Sequence, residues 1–222
     1  MITVHHLQNS RSQRVLWLLE ELGLPYEVKR YERDAQTLLA PPELFKVHPL
    51  GKSPVITDEG LTVAESGAII EYLMDRHAEG VLRPAGGTPE RLHYTYWLHY
   101  AEGSLMPLLV MTLVFRRIPL SPMPFFVKPI AKALCQKVAA TFLKPQIERH
   151  LKFIEQHLAQ HEWFAGSVLT AADVQMSFPV EAALARGAKP GQYPKMESWL
   201  KRVQAREAYQ RALATGGPYE IL

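Results

Sequence analysis

The chain opens with the alternation of a strand: Ile2 to Leu7 is rich in β-branched types, and the polar loop Gln8-Asn9-Ser10-Arg11-Ser12 follows it. From about Ser12 the period lengthens to that of a helix. Val15, Leu16, Leu18, Leu19 and Leu22 fall on a buried side with Arg14, Glu20 and Glu21 outward, and Gly23 with Pro25 stops the run. Tyr26 to Tyr31 alternates again. A strand, a helix and a strand within about 30 residues predict a right-handed crossover and two parallel strands. Residues 32–47 carry no clear period, although Pro41-Pro42 can open a short helix through Glu43-Leu44-Phe45. Val55 to Thr57 and Leu61 to Ala64 then read as a hairpin about Asp58-Glu59-Gly60. The second strand runs into Glu65-Ser66 and a helix that buries Ile69, Ile70, Leu73 and Met74 and ends near His77.

Beyond Glu90 the pattern is helical only, over Arg91 to about Phe115, Phe125 to Gln160, Ala171 to Ala185, and Pro194 to about Ala214. Gly80 to Pro89, with three glycines and two prolines, reads as a linker. The expected organisation is therefore a small mixed sheet with helices over 1–80, a connection at 81–89 and an all-α domain over 90–222. Pro145 lies inside the second helical run and predicts a kink or a break. Ser104 to Phe115 is apolar but shorter than the roughly 18 residues that span a bilayer, and reads as a buried helix, so no membrane is expected. Thr170-Ala171-Ala172-Asp173, flanked by Leu169 and Val174, has the spacing of a capping box with a hydrophobic staple, which points to helix nucleation rather than chemistry.

Composition narrows the class. Hydrophobic residues make up 47% and charged ones 21%, as in an ordinary globular chain. The 25 basic residues are scattered among 22 acidic ones, so nucleic-acid binding has no electrostatic footprint. Cys135 is the single cysteine, and Met1 to His6 has no basic segment leading into an apolar one, so the cytoplasm is the expected compartment. His93 and His99 do not share a helix face and His5-His6 alternate across a strand, so no metal is expected.

The start of the helix after Glu65-Ser66 brings a carboxylate, a hydroxyl and orphan N–H groups together, a setting that suits an anionic group. Read with Asn9-Ser10-Arg11, His48-Pro49-Leu50-Gly51-Lys52-Ser53-Pro54 and the box at Thr170 to Asp173, this order resembles the cytosolic glutathione transferases, particularly the bacterial and fungal type with an Asn-Ser-Arg loop. The resemblance covers essentially the whole chain. It implies an α/β thioredoxin-like N-terminal domain that binds glutathione, an all-α C-terminal domain that supplies a hydrophobic substrate site, and a homodimer.

Residue by residue, the resemblance implies a cis bond before Pro54 and a Ser53 backbone that pairs with the cysteinyl amide of glutathione as an added strand would. Glu65 and Ser66 match the pair that holds the γ-glutamyl end, with its ammonium and carboxylate. Lys52 matches a contact to the glycyl carboxylate. Ser10 precedes Arg14 by four positions, as the catalytic serine precedes an arginine in serine-type members, and would donate to the glutathione sulfur. Ser12, a potential N-cap, and Arg11, a charge, are its rivals. No cysteine stands in this loop for disulfide chemistry. Tyr100, Met106, Met111 and Phe115 are candidates for the second-substrate site. The expected activity is conjugation of glutathione to small hydrophobic electrophiles; peroxidase, isomerase or dehalogenase chemistry on the same thiolate, or a non-catalytic binding role, are the alternatives.

Overall fold

The computed structural model describes residues 1–35, 37–78, 80–217 and 219. Strands β1 (Ile2–Leu7), β2 (Tyr26–Tyr31), β3 (Val55–Asp58) and β4 (Leu61–Ala64) form one sheet in the order β2-β1-β3-β4. β1 and β2 are parallel across helix α1 (Ser12–Leu22), as the crossover predicts, and β3 runs antiparallel to both β1 and β4. The hairpin turns through Glu59 and Gly60, both at positive φ (47° and 84°), the mirror-image turn that matches strand twist. The described residues of 32–41 hold no regular element, and Pro42–Lys46 is one 3₁₀ turn that buries Leu44.

The register decides where function can sit. Val55 lies opposite His5 and Ala64, so the end of β1, the start of β3 and the end of β4 share one end of the sheet. The loop 8–11, the residues 52–54 and the start of α2 (Ser66–His77) therefore come together there.

The remaining helices are α3 (Pro89–Tyr100), α4 (Met106–Arg117), α5 (Lys128–Val138), α6 (Lys144–Gln160), α7 (Ala171–Gly187), α8 (Pro194–Gln204) and α9 (Glu207–Gly216). Helices α3 and α4 are continuous through a wide π turn at Ala101–Leu105, and α5 and α6 through another at Ala139–Leu143. Each turn ends two residues before a proline, Pro107 or Pro145. Proline cannot donate to the carbonyl four residues back, and the wider turn absorbs the missing bond, so Pro145 neither breaks nor ends its helix. The expected single helix from Pro194 to Ala214 is in fact two. Arg206 is extended between them (φ −70°, ψ 133°), and its guanidinium grips both carboxylate oxygens of Glu21 on α1.

One apolar core runs from Ile2 to Ala212 through Trp17, Trp97 and Trp199. Helix α9 returns to pack on α1, where Trp17 meets Tyr209 edge-on at 5.4 Å. Enclosed by both halves of the molecule, α1 is buried at every position from Ser12 to Leu19. The expectation of a buried helix over Ser104 to Phe115 fails in part. Leu105, Met106 and Leu109 are buried, but Val110, Met111 and Val114 are exposed on the 32-residue helix Pro89–Leu120, which is long and apolar enough on average to pass the test for a membrane span.

Candidate functional site

The β1–α1 loop is held from inside. Asn9 has a left-handed backbone (φ 52°), and Ser10 is 5% exposed with its Oγ 2.7 Å from Ser12 Oγ. The Ser12 N–H donates to Ser10 Oγ (3.2 Å), a serine turn that leads into α1, whose N-cap is Arg11. Ser12 Oγ accepts from the Leu7 N–H (3.3 Å) and lies 2.9 Å from His6 Nδ1. Burial, aided by Arg30 and opposed by a backbone hydrogen bond at Gly216, pushes His6 down to about 4, so its imidazole is neutral at pH 7. The Ser12 hydroxyl thus lies between the Ser10 hydroxyl, His6 Nδ1 and the Leu7 carbonyl (3.4 Å). Both hydroxyls are hydrogen-bonded within the loop, at the residues the resemblance puts forward for the glutathione sulfur. Arg11 is the half-buried one, its Nε 3.2 Å from Glu102 and its guanidinium over the Phe178 ring at 5.8 Å.

A pH dependence follows with a definite sign. The folded pKa of His6 lies below its ordinary 6.5, so its stabilisation is full above pH 6.5 and is lost as pH falls towards 4. At about 1.4 kcal/mol per pKa unit the full loss is on the order of 3 kcal/mol. Urea unfolding of the wild type at pH 7 and at pH 4 should show it, and His6→Asn should flatten that part of the profile; an unchanged slope in the variant would rule His6 out.

Across the sheet, Lys52 is exposed, the Ser53–Pro54 bond is cis, and Ser53 Oγ donates to the His5 carbonyl at 2.8 Å. Gly51, at φ 55°, takes a left-handed backbone that favours glycine, and the Phe45 ring stands 2.7 Å from where a Cβ would be. Glu65 is exposed with φ 72° and ψ 126°, a strained backbone of a kind that costs about 1–3 kcal/mol and gathers at ligand sites. Ser66 opens α2 and is buried.

The residue that sequence reasoning misplaced is Arg14. Expected outward, it is 1% exposed, because α1 has helices on the side that periodicity assigned to solvent. Arg14 donates to Ser66 Oγ (3.1 Å), to the Gln175 carbonyl on α7 and to Glu102 in the wide turn between α3 and α4. Burial draws its guanidinium down and Glu102 opposes this. The signal available was an arginine directly before the apolar run Val15 to Leu19. Phe178, beneath both Arg11 and Arg14, was also missed.

The second-substrate candidates do not form one surface. Tyr100 is buried against Trp97, Phe153 and His150, with its hydroxyl bonded to His150 Nδ1, and so faces α6. Met106 is core. Met111 is exposed and Phe115 half-buried on α4. His157, on α6, and His161, its C-cap, stand four apart and stack at 4.4 Å, with His93 edge-on to both, a His-x-x-x-His spacing that the sequence reading held to be absent. His157 Nε2 is bonded to the Phe164 carbonyl and His161 Nδ1 to the His157 carbonyl. Among the described residues no group of three or more His, Cys, Asp or Glu side chains is arranged to hold a metal ion.

Comparison with known proteins agrees with this geometry. Residues 1–75 match the glutathione S-transferase N-terminal domain, and residues 122–207 match the glutathione S-transferase C-terminal domain. Glutathione S-transferase 3 of Schizosaccharomyces pombe is 38% identical over 209 residues, which cover 94% of this chain and 85% of that protein. The crystal structure of a glutathione S-transferase from Actinobacillus pleuropneumoniae superposes with a TM-score of 0.82 at 33% identity, over 100% of this chain and 95% of its own. A sphingomonad glutathione S-transferase solved in complex with glutathione shares the fold, with a TM-score of 0.73 at 21% identity over 97% of this chain and 98% of its own. With a thioredoxin-like sheet domain followed by a helical one, this chain belongs to the glutathione S-transferase family.

Proposed function

We propose that the chain binds glutathione at the shared end of the sheet and transfers its thiolate to a small electrophile with an apolar body. The observation that carries this reading is the convergence of cis-Pro54, the strained Glu65 and the Arg11 loop at one end of a four-stranded sheet. The Ser53 backbone takes the cysteinyl amide, Glu65 and Ser66 take the γ-glutamyl end, and Lys52 takes the glycyl carboxylate. The glutathione complex of the sphingomonad relative supports the choice of ligand.

A free thiol has a pKa of about 8.5, so the site must favour the thiolate. Because the Ser10 hydroxyl is buried and lies 2.7 Å from Ser12 Oγ, we assign that task to the Arg11 guanidinium, with Ser10 positioning the loop. The thiolate sulfur attacks the electrophilic carbon, a carbon–sulfur bond forms as the leaving group departs with its electron pair, and the thiol proton has already passed to solvent. A second copy of the chain covers the exposed apolar residues Leu92, Tyr96, Val110 and Val114 of Pro89–Leu120. One buried free thiol, Cys135, suits action in the reducing cytoplasm.

The test joins binding and turnover. Millimolar glutathione should raise the melting temperature of a protein that sediments as a dimer. With chlorodinitrobenzene as acceptor, Arg11→Ala should lose about tenfold or more in kcat/KM, while Ser10→Ala should stay within about threefold. The reverse ranking would return the role to Ser10, a monomer would refute the dimer, and the absence of any glutathione effect would overturn the whole reading.

A further inference from the structure

Five arginines from four separate segments gather beside the Arg11 loop. Arg33, after β2, donates to the carbonyls of Gln8 (3.1 Å), Asn9 (3.4 Å) and Leu38 (2.9 Å), so its guanidinium is clamped onto the loop itself. Arg116, at the end of α4, donates to the Arg186 carbonyl at the end of α7 (3.0 Å) and ties those two helix ends together. Arg117 and Arg11 complete the group. The charges are close enough that Arg117 and Arg11 add to burial in drawing Arg33 down, and Arg116, Arg117 and Arg11 do the same to Arg186.

Among the described residues acid does not balance them. Glu102 pairs with Arg11 and is shared with the buried Arg14. Among the described residues Arg33, Arg116, Arg117 and Arg186 make no ion pair, and Arg186 Nε is buried without a hydrogen-bond partner. A cation at a helix C-terminus is favourable on its own account, which explains Arg116, Arg117 and Arg186 one at a time. It does not explain why two helix ends meet each other and a loop of the other half that already carries Arg11 and Arg33. Like charges so placed repel unless an anion joins them.

We propose that the acceptor is an anion: its electrophilic carbon sits against the Arg11 loop over Phe178, and its carboxylate, sulfonate or phosphate is held by Arg117 and Arg186. This rests on the thiol-transfer reading above and narrows its substrate class. Arg33 and Arg116, whose donors are engaged with backbone carbonyls, supply field rather than contact.

The experiment compares two aryl chlorides, neutral chlorodinitrobenzene and anionic chlorodinitrobenzoate. In both, the carbon–sulfur bond forms as the carbon–chlorine bond breaks, chloride leaves and the thiol proton goes to solvent. The ratio of kcat/KM, benzoate over benzene, should fall about tenfold in each of Arg117→Gln and Arg186→Gln and in the wild type should decline with added salt, whereas Arg117→Lys should keep most of it. Parallel losses on both substrates would make the arginines structural and overturn the inference alone. A rise in the KM for glutathione in the Gln variants would assign them to glutathione's own carboxylates and overturn it as well. Turnover of neither substrate by the wild type would sink the thiol-transfer reading and this inference with it.

Discussion

Replacing Arg14 with leucine is expected to abolish saturation by glutathione and to lower the melting temperature by about 10 °C. Arg14 is enclosed on α1 and joins three other segments: the start of α2 through Ser66, the turn between α3 and α4 through Glu102, and α7 through the Gln175 carbonyl. Breaking a buried ion pair by removing one partner costs about 3–5 kcal/mol, which at this chain length is worth roughly 6–20 °C. The functional loss is separable from the unfolding. Ser66 loses the donor that fixes its hydroxyl at the proposed γ-glutamyl end, and Glu102 is left to Arg11 alone, which lowers the positive field offered to a thiolate. Arg14→Lys keeps the charge but not the fork of donors, so it should retain more of the fold than of the glutathione affinity. A leucine variant with an unaltered KM for glutathione would show that Arg14 serves the fold only.

The second large effect is expected at Asp173. Its carboxylate is fully buried and accepts from the Phe164 N–H (2.9 Å), the Thr170 N–H (3.0 Å), the Thr170 hydroxyl (3.0 Å) and Trp199 Nε1 (3.1 Å). Burial pushes its pKa up to about 6 in spite of these donors, so it is ionised at pH 7. Alanine would strand four buried donors, each costing about 1–3 kcal/mol, and the sum is comparable to the whole stability of a typical domain. The Asp173→Ala protein should therefore be recovered largely unfolded, with Asp173→Asn intermediate because one face of the amide still accepts. Circular dichroism of the two variants measures this, and a native melting curve for the alanine variant would refute it.

The capping box at Thr170 to Asp173 shows what a sequence discloses and what it hides. The local half, Thr170 with Asp173, was legible because it depends on a spacing of three. The bonds to Phe164 and Trp199 depend on where other segments are brought, and no local pattern records that. The same division runs through the site. The hairpin, the crossover and the helix after Ser66 follow from period and turn residues. The inward direction of Arg14 does not, because period alone assigns one face of α1 to solvent while α7 and α9 cover it. Nor was the chain of contacts from Ser10 Oγ to Ser12 Oγ to His6 readable, since it arises where a strand residue meets a loop. Tyr100 and Met106 looked like pocket residues because an aromatic or a methionine on a helix carries the same signature whether it faces a cleft or a core.

The wide turn at Ala101–Leu105 amounts to one residue inserted into an otherwise continuous helix. Each residue added to a helix rotates everything beyond it by about 100°. The insertion thus sets the azimuth of α4 relative to α3, and with it the direction in which Arg116 and Arg117 leave the helix, without altering the stretch that holds Trp97. A chain of this family that lost one residue there would keep its aromatic core and swing its terminal arginines about a quarter of a circle away from the Arg11 loop, a means of changing acceptor by length rather than by side chain.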